Sequence, residues 1–186
     1  MNVVLDTIRS RRSVRAYQDT LLKKEDLKAI VEAGTWAPTG HNQQPWHFAV
    51  VQDRALLAEA NTKAKAVMVN IDVDWIKKMG ASPDVDITHG APVLIIVSSV
   101  AGAITGPADC TAAMENMMIA AQSLGIGSCW MGLINFVFDD AELMKRLGVP
   151  EGYRPQQAAV FGVPAGNAKG NAPVRKTDVA TYIGQF

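Results

Sequence analysis

The chain has few of the residues that small secreted proteins and metal sites depend on. Its 186 residues include two cysteines and three histidines. Cys110 and Cys129 do not form a CxxC motif, and His41, His47 and His89 form no HxxxH or HExxH pair. We therefore expect neither a disulfide framework nor a zinc or other metal site.

Excess charge and long apolar runs are also missing. The 18 basic and 18 acidic residues balance, so no net field favours a nucleic-acid partner. The longest apolar run, residues 93–97, is too short to cross a bilayer. The N-terminus lacks the basic, apolar and cleavage regions of a signal peptide. These absences predict a soluble cytoplasmic protein without a membrane or nucleic-acid partner.

Familiar catalytic motifs are absent as well, including GxSxG and the P-loop. The glycines of residues 125–132 follow a predicted helix and precede a predicted strand, the reverse of the order in a dinucleotide-binding loop. Gly125 instead fits a left-handed helix C-cap. Cys129 lies in an apolar strand, which favours a buried inert thiol over a nucleophile. With no side-chain catalyst expected, a bound cofactor can carry the chemistry.

Apolar periodicity predicts one α+β domain. We expect helices at 3–12, 24–34, 54–69 and 111–124, and strands at 47–51, 93–97, 128–132 and 158–162. The helix at 111–124 is apolar on nearly all sides, which predicts burial in a core or at a subunit interface. Residues 60–90 are interrupted by glycine and proline and are predicted to form a lid or cover. The Gly-, Asn- and Pro-rich tail from residue 164 is predicted to be extended.

Two segments near the N-terminus carry the strongest chemical signal. Arg11, Arg12, Ser13 and Arg15 combine forked cationic donors with a hydroxyl, which suits a phosphate monoester. The alternative is a solvated basic end of a helix. The loop at 38–44 offers amides that match the edge of a pyrimidine-like ring, and its alternative is a turn that leads into a strand.

Five motifs occur in order along nearly the whole chain: SRRSVRAY, APTGHNQQPWHFAVV, HGAPVLIIV, ENMMIAAQSLGIGSCWMG and GVPAG…APVRK. Together they resemble the FMN-dependent nitroreductase family. The resemblance implies a nitroreductase-like α+β fold, with a central mixed sheet flanked by helices. It also implies that residues 1–186 form a single FMN-binding domain and an intertwined homodimer, with FMN pockets shared between the subunits.

The resemblance further implies where the cofactor binds. Arg11, Arg12 and Ser13 match positions that contact the FMN phosphate and ribityl chain, and Arg15 matches the basic position at the pyrimidine edge of the flavin. The other matches are a loop that touches the flavin from the partner subunit, a strand end near the reactive flavin nitrogen, and a C-terminal basic group that returns to the phosphate. The loop comprises Pro38, Thr39, Gly40, Asn42 and Gln44. The strand end comprises Trp130, Met131 and Gly132, and the basic group comprises Arg175 and Lys176.

The function implied by the resemblance is electron transfer from NADH or NADPH, through bound FMN, to a nitroaromatic, quinone or similar small-molecule acceptor. A ping-pong mechanism is expected, in which the flavin and not a side chain carries the chemistry. The alternatives are a flavin-binding sensor or storage protein without turnover, and a reductive dehalogenase or flavin-breakdown enzyme on the same scaffold.

Overall fold

The computed structural model describes residues 2–166, 168 and 170–185, and in these it contains six α-helices and four β-strands. The helices are α1 Val3–Ser10, α2 Lys24–Thr35, α3 Arg54–Met68, α4 Asp74–Ala81, α5 Gly106–Ser123 and α6 Ala141–Arg146. The strands are β1 Trp46–Val51, β2 Val93–Val100, β3 Gly127–Trp130 and β4 Tyr153–Gly162. The described residues after 164 form no helix or strand, and three residues of the predicted tail, Asn167, Lys169 and Phe186, lie outside the described part.

The four strands form one sheet in the order β1–β2–β4–β3, and every neighbouring pair is antiparallel. Among the described residues the only parallel pairing is an isolated bridge between Ser13 and Ser128. The predicted α+β class is confirmed, but these strands are antiparallel rather than mixed. An apolar run indicates that a strand is buried without specifying the direction of its neighbours.

The sheet separates two apolar cores. Leu94 and Ile96 of β2 face a core that includes α3 and α6. Val93, Ile95 and Val97 face a second core that includes α2 and α5. All five side chains are fully buried, so the prediction of a strand covered on both faces is confirmed.

Two predicted helix boundaries are wrong for local reasons. α1 ends at Ser10 rather than residue 12, because Arg11 adopts an extended conformation with φ −61° and ψ 136°. α5 begins at Gly106 rather than residue 111, with Pro107 in its first turn, where the missing N–H costs nothing. No helix among the described residues is long and apolar enough to cross a membrane.

Gly125 ends α5 as the sequence predicts. Its φ is 76°, in the left-handed region that favours glycine. The Gly125 N–H donates to Gln122 O at 3.1 Å, and the Ile126 N–H donates to Ala121 O at 2.9 Å. This pair of bonds is a Schellman motif, which turns the chain directly into β3.

Residues 60–90 contain the end of α3, which was predicted, and the whole of α4, which was not. The two helices pack closely, since a Cβ on Gly80 would lie 2.8 Å from the Met68 Cβ. Lys65 Nζ donates to Ser82 O at 2.6 Å and so ties α3 to the end of α4. The role of this segment as a lid or cover stays a prediction.

Candidate functional site

The arginine-rich segment lies beside β3 at one edge of the sheet. After α1 ends, Ser13 forms its parallel bridge with Ser128, and the Val14 N–H donates to Ser128 O at 2.9 Å. The segment therefore covers an edge strand whose backbone groups would otherwise face solvent. As a result, Arg11, Arg12 and Arg15 project from an extended chain rather than from a helix face.

Close packing holds this segment against the sheet. Val14 is 1% exposed, and a Cβ on Gly127 would lie 2.8 Å from Val14 Cγ2 and 3.0 Å from Pro164 Cγ. The Tyr17 hydroxyl donates to Val14 O at 2.7 Å, and burial raises the pKa of Tyr17 above its ordinary value. The backbone that carries the arginines is thus fixed from both sides.

A cavity of about 510 Å³ opens next to the segment. It brings Arg11, Arg12, Ser13 and Arg15 together with Arg175, which comes from the far end of the chain. Its wall is completed by Ala168, Gly170, Asn171 and Pro173. We call this space the arginine cavity.

Two guanidinium atoms of the residues that line the cavity lack protein partners. Arg11 Nη1 and Arg12 Nε are buried without a hydrogen-bond acceptor. Arg12 is nevertheless held in place, because its Nη1 donates to Arg9 O and Arg11 O, both at 2.7 Å. Within the described part of the chain, no carboxylate forms an ion pair with any of the four arginines that line the cavity. Buried donors of this kind ordinarily have acceptors, and a bound phosphate group would supply them.

Cys129 lies beneath this cluster. Burial raises the pKa of its thiol, and the charges of Arg15 and Arg11 together with a hydrogen bond from Ser13 oppose that rise. The interpretation as a buried thiol is confirmed by its 3% exposure. In the described residues no set of three or more His, Cys, Asp or Glu side chains is arranged to hold a metal ion.

Trp130, Met131 and Gly132 form the end of β3 and the turn that follows. The Met131 N–H donates to Ala158 O at 2.9 Å, and Trp130 Nε1 donates to Gln157 Oε1 at 3.2 Å. Gly132 is exposed and begins a 3₁₀ turn. Because Ser13 pairs in parallel with Ser128, the chain from Ser13 to Arg15 runs in the same direction as β3, and the charge of Arg15 acts on Cys129 of that strand.

The predicted partner loop is elsewhere. Pro38, Thr39, Gly40, Asn42 and Gln44 lie between α2 and β1, and within the single chain described none of them lines the arginine cavity. Lys176, which is exposed, does not line it either. Within the single chain the loop and the arginine cavity are therefore separate features.

Sequence reasoning missed three residues in this region. Asn171 and Pro173 line the cavity from the tail. Pro173 belongs to the APVRK motif, but neither residue was assigned to the site. His89 is close enough to Arg15 for its pKa to be affected: burial lowers it, the Arg15 charge lowers it further, and Asp86 opposes both. The HGAPVLIIV motif, which contains His89, was the available signal.

Comparison with known families identifies the scaffold. The model of the Nitroreductase family matches residues 8–163. The chain belongs to this family. In sequence it is 35% identical, over 161 residues, to an Archaeoglobus fulgidus protein named for NADH dehydrogenase or NAD(P)H nitroreductase activity, an alignment that covers 81% of this chain and 79% of that protein.

Solved structures agree with this assignment. A nitroreductase with bound FMN from Bacteroides fragilis superposes with a TM-score of 0.91 at 36% identity, covering 99% of this chain and 100% of that one. Another with bound FMN, from Desulfitobacterium hafniense, has a TM-score of 0.88 at 29% identity, with the same coverage. The predicted nitroreductase-like fold is confirmed.

Proposed function

We propose that this nitroreductase-family chain is an FMN-dependent oxidoreductase that moves electrons from NADH or NADPH to a nitroaromatic, quinone or similar acceptor. The observation that carries the proposal is the pair of buried, unpartnered atoms Arg11 Nη1 and Arg12 Nε, which belong to two residues that line the arginine cavity. The bound FMN of the B. fragilis and D. hafniense relatives supports the choice of ligand.

The cavity residues fit the phosphate of FMN. Arg11, Arg12 and Arg175 offer fixed positive charge, and Ser13 offers a hydroxyl, all in the lining of the cavity. Guanidinium groups bind phosphate oxygens through paired, charge-assisted hydrogen bonds. A cluster of four arginines without carboxylate partners also makes this the preferred place for an anion on a chain whose net charge is zero.

Bound FMN would supply the redox chemistry, taking hydride from the nicotinamide and giving electrons to the acceptor. The nicotinamide and the acceptor would occupy the same place beside the flavin, one after the other. The protein's contribution is orientation and a fixed field. Arg15 places a cation toward the end of β3, where we propose that it faces the pyrimidine edge of the flavin. Trp130, Met131 and Gly132 are proposed to border the ring near its reactive nitrogen.

We also propose a homodimer, because one apolar face of the chain has no partner within it. Val3 is 76% exposed and Trp36 is 79% exposed. Together with Val4, Ile119 and Ala120, they border a shallow apolar cavity of about 450 Å³ between α1, α2 and α5. Patches of this kind on single chains mark protein interfaces. In the dimer, Pro38, Thr39, Gly40, Asn42 and Gln44 would reach the partner's arginine cavity.

The test starts from the colour of the purified protein. Bound FMN makes it yellow, and denaturation should release FMN rather than FAD. Addition of NADH or NADPH without oxygen should bleach the flavin absorbance, and addition of a quinone or nitroaromatic should restore it. A colourless protein that does not take up FMN would overturn the proposal. A yellow protein that neither nucleotide bleaches would favour the sensor or storage alternative.

A further inference from the structure

The loop from Thr39 to Gln44 has a costly backbone conformation for an exposed segment. His41, Asn42 and Gln44 have positive φ angles of 52°, 54° and 49°, which are unfavourable for residues with a Cβ. All three side chains are exposed, so their burial does not offset the cost. Other interactions must therefore offset the cost of this shape.

The hydrogen bonds inside the loop close it on itself. The Gln44 N–H donates to Thr39 Oγ1 at 3.0 Å, the Asn42 N–H to Thr39 O at 3.2 Å, and the Gln43 N–H to Gly40 O at 3.1 Å. These bonds define the curvature of the loop. They do not attach it to the rest of the protein.

The attachment lies at Gly40, whose backbone rests on the side chain of Thr105. A Cβ on Gly40 would be 2.6 Å from Thr105 Oγ1 and 2.8 Å from Thr105 Cγ2. Such distances are too short for real carbon contacts, so only glycine allows the loop to come this close. The loop therefore lies directly against the Thr105 side chain at Gly40.

Thr105 is itself held by a buried carboxylate. It directly precedes α5, where a threonine side chain ordinarily caps the helix N–H groups, yet it makes no such bond. Its hydroxyl donates instead to Asp109 Oδ2 at 2.9 Å. Asp109 is 5% exposed and lies in the first turn of α5, where the helix dipole favours its charge.

We propose that Thr105, oriented by Asp109, is a positioning residue that holds the loop at 39–44 in its left-handed shape. The inference rests on the proposed function, in which this loop contacts FMN in the partner's cavity. Neither Thr105 nor Asp109 needs to touch the cofactor. By limiting the motion of Gly40 they leave less ordering to be done when FMN binds, and preorganisation of this kind strengthens affinity.

Two substitutions of Thr105 distinguish the contribution of its hydroxyl group from that of its branched shape. Thr105→Val keeps the branched side chain but cannot donate to Asp109, whereas Thr105→Ser keeps the donor. In the apoprotein, Thr105→Val should speed hydrogen exchange of the amides of residues 40–44 by roughly tenfold, with β1 amides unchanged. It should also weaken FMN binding, measured by quenching of flavin fluorescence, by roughly three- to tenfold. Thr105→Ser should stay within about twofold of wild type in both measurements.

Asp109→Ala provides an independent variant, because it removes the acceptor and leaves Thr105 in place. It should reproduce the faster loop exchange, while Asp109→Asn, which keeps an acceptor oxygen, should not. Unchanged loop exchange in both Thr105→Val and Asp109→Ala would overturn the inference. Faster exchange with unchanged FMN affinity would overturn it too, because the loop would then lie away from the cofactor. Arg11→Ala tests the phosphate site separately, so a failure there contradicts the proposed function instead.

Discussion

At the scale of single residues, the arginine cavity stands out because the protein itself holds some of its guanidinium donors in place and leaves others without an acceptor. Arg12 is fixed by two backbone carbonyls, Arg9 O and Arg11 O, and Arg11 keeps one buried nitrogen without an acceptor. Leaving a buried charged donor unpaired costs free energy. A ligand that supplies the missing acceptors recovers that cost, which makes FMN affinity the most direct measure of each residue.

The first prediction concerns the proposed phosphate contacts. Arg11→Ala combined with Ser13→Ala should weaken FMN binding by several kcal/mol in total, because hydrogen bonds to charged groups contribute about 1.5–3 kcal/mol each. Titration of the apoprotein with FMN measures the loss. Arg9→Ala is the matched control, since the Arg9 side chain is exposed and does not line the cavity. Unchanged affinity in the double variant would remove the phosphate site from the proposal.

The second prediction separates the effect of Arg15 on the reduction potential of the flavin from its effect on FMN affinity. Two-electron reduction leaves negative charge at the pyrimidine end of the flavin, and a nearby cation stabilises it. Two charges about 4 Å apart interact by roughly 4 kcal/mol at an effective dielectric near 20, and a quarter of that corresponds to roughly 20 mV for two electrons. Arg15→Gln should therefore lower the midpoint potential of bound FMN by about this amount. It should cost less oxidised-FMN affinity than Arg11→Ala.

Potentiometric titration of the Arg15→Gln holoprotein checks this assignment, with an FMN affinity measurement on the same preparation. A potential equal to that of wild type, accompanied by loss of the cofactor, would make Arg15 another phosphate ligand. The role proposed for it at the pyrimidine edge would then be wrong.

At the scale of elements, α6 shows how a helix that no pattern predicted is anchored. Asp140 caps it by accepting from the Leu143 N–H at 2.9 Å, and its other oxygen accepts from Lys63 Nζ of α3 at 2.6 Å. The bond from Lys63, followed by the bond from Leu143, holds the pKa of Asp140 below its ordinary value of 3.8. One carboxylate thus starts α6 and joins it to α3.

The third prediction follows from the direction of that pKa shift. A carboxyl group whose pKa is lowered on folding stabilises the native state above its unfolded pKa, and the effect is lost as the pH falls through the folded value. The melting temperature of wild type should therefore exceed that of Asp140→Asn at neutral pH. The gap should narrow below about pH 4.

Thermal unfolding from pH 3 to 7 gives the comparison. Asparagine caps helices about as well as aspartate does, so the pH-dependent part reports the charge interaction with Lys63. Lys63→Met should reduce the same pH dependence. A gap between wild type and Asp140→Asn that is equal at pH 3 and pH 7 would contradict this account.

At the scale of the whole molecule, the single chain leaves large apolar groups in solvent. The α1–α2–α5 face is one such area, and the described tail exposes Val174 and Ile183 almost completely. α5 is buried on the side that faces the sheet, yet Thr111 and Glu115 on other sides are exposed. Its predicted burial on nearly all sides is therefore not met within one chain.

The fourth prediction is an obligate homodimer that uses this face. Val4→Asp should raise the dimer dissociation constant by at least roughly tenfold, because an unpaired carboxylate would be buried at the interface. Val4 is 57% exposed in the single chain, so the monomer fold should tolerate the change. Val67→Asp, on the exposed side of α3, is the matched control.

Analytical ultracentrifugation at micromolar concentration measures the oligomeric state of each variant. Wild type and Val67→Asp should sediment as dimers, and Val4→Asp should contain monomer. A wild-type protein that is monomeric, folded and loaded with flavin would rule out both the dimer and the shared cofactor site.

Much of the fold was predictable because its signals are local. The alternation of Val93 to Val97 between two faces, the left-handed turn at Gly125 and the order of most elements follow from neighbouring residues alone. The donor chemistry of Arg11, Arg12, Ser13 and Arg15 was likewise visible in five consecutive positions. The cytoplasmic location and the lid at 60–90 stay predictions, since no contact between residues tests them.

The sequence by itself determined the types of most elements, the family and the residues able to bind a phosphate. Only the tertiary structure decided that Asn171 lines the arginine cavity, that the strands run antiparallel, and that Gly40 rests on Thr105. The physical reason is the distance along the chain over which each effect acts. Propensity, periodicity and side-chain chemistry act over a few residues, whereas strand direction, close backbone approach and unpartnered buried atoms depend on segments far apart in the chain.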